Sequence, residues 1–244
     1  MPKWLVRLAG GEADLEAASQ LLSSQELNVR KEGDGYYLQS SDFEALETAD
    51  EVRAHAGVIL RCASAAERIR CGSSLPLEIA DGESVFRIEP DGSRRPFFST
   101  TLQHSWNVRR EHAPVTEREA CAMAAWVDLA AHDDRVDKAL RLLIEPQFSY
   151  WVILYNIWGV IQSDVGGRIT KDDWASGKQI DRFTRTANSV AVLGDAARKG
   201  FERDEPPPDP MSLEEAQALI HRVLRHWLNS KIDWEDVVSY RGQS

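Results

Sequence analysis

The sequence predicts an α+β protein: a small N-terminal sheet with two helices on one face, followed by a C-terminal all-α bundle. Three observations lead there. The turn signals Gly33-Asp34-Gly35, Asp81-Gly82 and Pro90-Asp91-Gly92-Ser93 all fall in the first hundred residues, between short β-type runs. After Pro114, apolar residues recur at spacings of three and four, the period of a helix with one buried face. Capping boxes at Ser41/Glu44, Thr116/Glu119, Ser176/Gln179 and Ser212/Glu215 mark helix starts, three of them beyond Pro114.

In chain order, residues 4–8 form a β-type run that Gly10-Gly11 ends. Leu15, Ala18, Leu21 and Leu22 then give one helical face over 13–23. Runs 28–32 and 36–39 flank Gly33-Asp34-Gly35 as a hairpin. Ser41 opens a helical segment, and Asp50 is placed to cap the next helix. That helix carries Val52, Ala56, Ile59, Ala63 and Ala66, with Gly72 at its end. Strands follow at 75–80, 84–89 and 95–100. The order β-α-β-β-α-β-β-β suits one sheet with both helices on one side.

Residues 101–115 lack periodicity and read as a linker, so the α+β domain is set at 1–100 and the bundle at 116–229. In the bundle, Thr116 caps a first helix, Asp134 a second, and 148–164 is apolar on nearly every face, as for a helix at the bundle centre. The last helix presents Leu213, Ala216, Ile220, Val223 and Trp227. The prolines at 206–208 and 210 stiffen its approach, and 230–244 is a polar tail.

Composition narrows the function classes. Three Cys without regular spacing fit a reducing compartment rather than a disulfide framework. No apolar run with a cleavage site opens the chain, and no stretch is long enough for a bilayer span, so a cytoplasmic protein without membrane contact is expected. A net charge of −10 excludes broad DNA coating. Cys62 and Cys71 are too far apart on one helix to share an ion, and in His132-Asp133-Asp134 the last residue is wanted as a cap. No metal site is expected, and without phosphate-binding or dinucleotide glycine motifs, no cofactor either. No nucleophile elbow or other catalytic set is legible.

One window departs from the acidic whole. Between Gly166 and Arg203 eight Lys/Arg face five Asp/Glu, a local balance of +3. Within it Arg182, Arg185, Asn188 and Arg198 form the candidate anion- or partner-binding group. Arg182 and Arg185 are three apart on one predicted helix, and the loop 189–194 has the small residues needed to bring Arg198 back beside Asn188. Converging guanidiniums suit phosphate or carboxylate, carried by an RNA or a protein partner. The competing expectation is intramolecular: Asp181, Asp195 and Glu202 absorb the charge and pin the loop. Asn188 as a helix cap belongs to that reading. Trp126, Trp151, Trp158 and Trp227 fall at core spacings, whereas Trp106 and Trp174 lie near loops, where an indole can anchor a partner. His221, Arg222, Arg225 and His226 read as the solvated face of the last helix.

The run Leu154-Tyr155-Asn156-Ile157-Trp158-Gly159-Val160-Ile161, with Asp164-Val165-Gly166-Gly167, Arg182-Phe183-Thr184-Arg185-Thr186-Ala187-Asn188, Ala197-Arg198 and Pro210-Met211-Ser212-Leu213, resembles a C-terminal half shared by uncharacterised bacterial proteins. That resemblance implies a bacterial cytoplasmic origin. More loosely, the helical half is similar to HEPN-type domains, which often act as metal-independent ribonucleases. In those, an Arg and a His four to six residues apart, on a helix following a buried helix, carry the reaction. The resemblance implies Arg182 or Arg185 as the Arg. No His follows either at that spacing, which leaves His226 as the available imidazole. The preferred expectation is an intracellular binding or accessory protein acting through the basic window. The alternatives are a HEPN-like ribonuclease or toxin, and an acidic protein-binding module of immunity or antitoxin type.

Overall fold

The computed structural model describes residues 3–71, 77–99, 116–144, 150–198 and 207–234. The expected linker, most of the polar tail, Gly72, Trp106, Lys199 and Arg203 lie outside them. The chain divides into two compact units, 1–131 and 132–244. It is α+β, with an antiparallel N-terminal sheet and a helical C-terminal region.

In the first unit, β1 (Trp4–Ala9), α1 (Glu12–Leu21), β2 (Leu27–Glu32), β3 (Gly35–Ser40), α2 (Ala49–Cys71), β4 (Glu78–Ile79), β5 (Gly82–Ile88) and β6 (Arg94–Ser99) follow one another as expected. The sheet order is β2-β3-β1-β5-β6, with β4 also pairing β1. Registers Val29↔Leu38, Val6↔Leu38 and Val6↔Val85 align four buried aliphatics in one row across four strands. Side chains directly opposite on neighbouring strands share a face, so this row is the floor of the core. The turn at Gly33 needs a left-handed backbone, φ 60°, which glycine adopts without strain.

In this first unit two caps differ from expectation by one or two positions. Ser40, not Ser41, accepts from the Asp42 amide and starts only a short 3-10 turn, Ser41–Ala45. At α2, Thr48 and Glu51 exchange side-chain and backbone bonds as a capping box, while Asp50 instead pairs with Arg53.

The helix α3 (Glu117–His132), opened by the Thr116/Glu119 box, lies within the first unit but for its last residue. The second compact unit begins at residue 132. The Arg70 guanidinium near the end of α2, 4.0 Å from the Glu119 carboxylate, ties α3 to the N-terminal half. Such a contact between distant segments leaves no trace in periodicity.

The second unit contains α4 (Asp134–Ile144), α5 (Tyr150–Val165), α6 (Arg168–Lys171), α7 (Gly177–Asn188), α8 (Val190–Leu193) and α9 (Leu213–Ser230). Asp133, rather than Asp134, caps α4 through the Arg135 and Val136 amides. Helix α5 buries Trp151, Ile153, Leu154, Ile157, Trp158 and Ile161 against its neighbours. It is not enclosed on all sides, since Asn156, Gly159, Gln162 and Ser163 remain exposed. Helix α9 packs on it and buries Ala216, Ile220, Val223, Leu224 and Trp227. No helix among the described residues is long and apolar enough to cross a membrane.

Candidate functional site

Helix α7 carries three of the four candidate residues. It starts at a full capping box between Ser176 and Gln179, and Phe183, Thr186 and Ala187 form its buried side. Thr186 is buried yet satisfied: its hydroxyl donates to the Arg182 carbonyl at 2.8 Å and accepts from the Met211 amide at 3.0 Å. The helix ends when Ser189 leaves the helical region, and Asn188 bonds back to the Thr184 carbonyl through its amide nitrogen. Past α8, Gly194 at φ 56° turns the chain, and the Arg198 amide donates to the Ala187 carbonyl at 2.9 Å. The loop therefore does bring Arg198 back beside Asn188. The Arg198 Nη1 donates to Asn188 Oδ1 at 3.3 Å, and its guanidinium carbon stands 4.4 Å from the Tyr155 ring centre.

The four residues do not converge on one point. Arg182 turns to the start of α9. Its Nη1 and Nη2 each donate to a Glu215 carboxylate oxygen at 2.9 Å, Nε to the Asp209 carbonyl at 2.9 Å, and Nη2 to the Pro210 carbonyl at 3.0 Å. The same Glu215 accepts from the Ser212 amide. The hydrogen bonds from Arg182 hold the Glu215 carboxyl below its ordinary range, and Glu215 in turn raises Arg182. A guanidinium with its donors so occupied is a structural clamp. Arg185 is about half exposed and, among the described residues, pairs loosely with Asp181, at 4.0 Å along its own helix. Of the acids expected to absorb the window's charge, Asp181 does so loosely. The strong partners, Asp209 and Glu215, lie 27 and 33 residues from Arg182. Their one signal in the sequence was Glu215 at the third position of a capping box, a carboxylate fixed at a helix start.

Trp174 is buried at 5% exposure rather than displayed as an anchor. Asp173, with φ 56°, folds the chain so that the Trp174 amide reaches the Ile169 carbonyl. His226 stacks on the indole at 6.2 Å and 9°, and the Arg222 Nε donates to the Trp174 carbonyl. Arg222 and His226, on the exposed face of α9, are thus joined to that turn. Arg182 meets Glu215 in the first turn of α9, and His226 stands eleven residues further on. At 1.5 Å per residue that is about 16 Å along the axis, too far for both to address one reacting group.

Sequence reasoning missed a second charged cluster. Lys231 lies 2.9 Å from Asp133 and 2.8 Å from Asp164, Arg135 donates to the other Asp164 oxygen at 2.9 Å, and the Trp227 indole donates to Asp164 at 2.8 Å. Burial alone would raise both carboxyls, but the Lys231 hydrogen bond and its neighbours outweigh it and depress them. Burial likewise opposes the Lys231 charge, yet the two aspartates raise its pKa. Two cations answer two anions, which suits a joint between helix ends rather than a reactive centre. Among the described residues no three His, Cys, Asp or Glu side chains are grouped to hold a metal ion. No protein-family model, curated protein or solved structure matches the chain.

Proposed function

We propose that the chain is an intracellular binding or accessory protein that holds an anionic partner through Arg185, Asn188 and Arg198, with Tyr155 beneath Arg198. One observation carries this reading. Among the described residues Arg198 has no carboxylate partner; its contacts are Asn188 Oδ1 and the Tyr155 ring. An exposed guanidinium oriented by an amide and a ring, with donors to spare, is prepared for an external acceptor. Arg182 supports the site by holding α7 to α9 and makes no contact with the partner.

Single alanine variants at 182, 185 and 198 test this, by RNA titration at two salt concentrations beside thermal unfolding. Arg185→Ala and Arg198→Ala are expected to weaken binding and to lower the salt slope by roughly one unit each, at near-unchanged melting temperature. Arg182→Ala is expected to lower the melting temperature most. Unchanged binding in the 185 and 198 variants defeats the proposal and favours the protein-binding module.

A further inference from the structure

Four planar groups form a column from the bundle core to the surface. Trp151 and Phe183 are stacked at 6.1 Å and 24°, and Phe183 and Tyr155 at 6.2 Å and 21°. The Arg198 guanidinium then covers Tyr155 at 4.4 Å. Trp158, tilted 69° against Phe183, holds that ring from the side. Trp151, Tyr155 and Trp158 reach one ring because positions four and seven apart share a helix face. Burial falls from Phe183 outward: Trp151 and Phe183 are buried, Tyr155 is half-buried and Arg198 is exposed.

On this basis we infer that the anionic partner is a single-stranded nucleic acid, one of whose bases stacks on the Arg198–Tyr155 pair while a neighbouring phosphate meets Arg185. The inference rests on the reading of Arg185, Asn188 and Arg198 as the contact. A guanidinium is planar and weakly hydrated, so its open face takes a base as readily as its inner face takes a tyrosine ring. Arg185 precedes Asn188 by three residues on α7, about one helical turn, and its pairing to Asp181 is loose enough to exchange for a phosphate. The net charge of −10 opposes a polyanion overall and limits how such a strand can be held. A chain so acidic cannot hold a strand by many phosphate contacts, so stacking must supply most of the affinity.

The experiment titrates the full chain with four probes: a short pyrimidine RNA, an abasic strand of equal length, inorganic polyphosphate and free UMP. Stacking predicts that the RNA binds about tenfold or more tightly than the abasic strand. It predicts that Tyr155→Leu and Arg198→Gln abolish that difference, and that Tyr155→Phe keeps it. Should Tyr155→Leu fail to fold, Arg198→Lys keeps the charge without the plane, and must lose RNA affinity while retaining polyphosphate binding. Equal binding of RNA and abasic strand, both lost in Arg198→Gln, overturns stacking and leaves the anion site standing. UMP competing as well as the strand overturns the strand. Failure of RNA, abasic strand and polyphosphate alike overturns the proposed function itself.

Discussion

Lys231 donates to Asp164 at 2.8 Å, joining the C-terminal end of α9 to that of α5. Asp133 takes a second hydrogen bond from the same ammonium and so adds the start of α4. Replacing Lys231 by Met leaves two partly buried carboxylates with one cation fewer, at an expected cost of about 1–3 kcal/mol. The effect depends on pH. The aspartates are depressed, so their contribution is present above about pH 4 and fades as pH falls through their folded values. Lys231 is raised, so its contribution is present below about pH 10 and fades as pH climbs through its folded value. Urea unfolding across pH should show the deficit of Lys231→Met at full size between about pH 5 and 9, shrinking on both sides. A deficit independent of pH would place the lysine's role in packing alone.

Arg182 and Arg185, one turn apart, should behave as opposites. Arg185→Ala loses a half-exposed pair at 4.0 Å and should change stability by less than about 0.5 kcal/mol. Arg182→Ala strips the entry to α9 of its tie to α7, and should lower the melting temperature clearly further. Calorimetry of the two variants ranks them, and a reversed order would refute the clamp.

Trp158 is 3% exposed and edges against Phe183, so Trp158→Ala should cost about 3–5 kcal/mol by opening a cavity in the aromatic cluster. A loss under about 1 kcal/mol in denaturant unfolding would contradict its place in the core.

Gly194 adopts φ 56° and ψ −132°, and a Cβ built there meets nothing within 4 Å. Gly194→Ala therefore carries only backbone strain, about 1–3 kcal/mol. Because this residue turns the chain toward Arg198, the variant should also weaken RNA binding. Full affinity in a destabilised Gly194→Ala protein would show that Arg198 reaches its place without that turn.

What the sequence revealed was local. The glycine turns and short β runs announced the succession of strands along the chain, and the Thr116, Ser176 and Ser212 boxes located three helix starts, because each signal lies within about four residues. What it hid was long-range. The partners of Arg182 are 27 and 33 residues away, and the ties of Lys231 to Asp133 and Asp164 span far more. The burial of Trp174 depends on a left-handed Asp173, a conformation composition does not announce. The grouping of α3 with the sheet was hidden for the same reason, since an amphipathic helix declares which side it buries but not against what. Of the candidate site, the return of Arg198 to Asn188 was legible from the small loop residues. The withdrawal of Arg182 was not.

The amide of Arg198 is anchored at Ala187, and that of Met211 at the adjacent Thr186. The polypeptide thus departs from α7 and rejoins it at neighbouring residues, whatever route it takes between. An excursion that begins and ends at one point imposes no span on its own length. Doubling such a segment costs only about 0.6 kcal/mol in closure entropy. An insertion placed between Arg198 and Pro207 is therefore expected to leave α7, α9 and the charges between them in register.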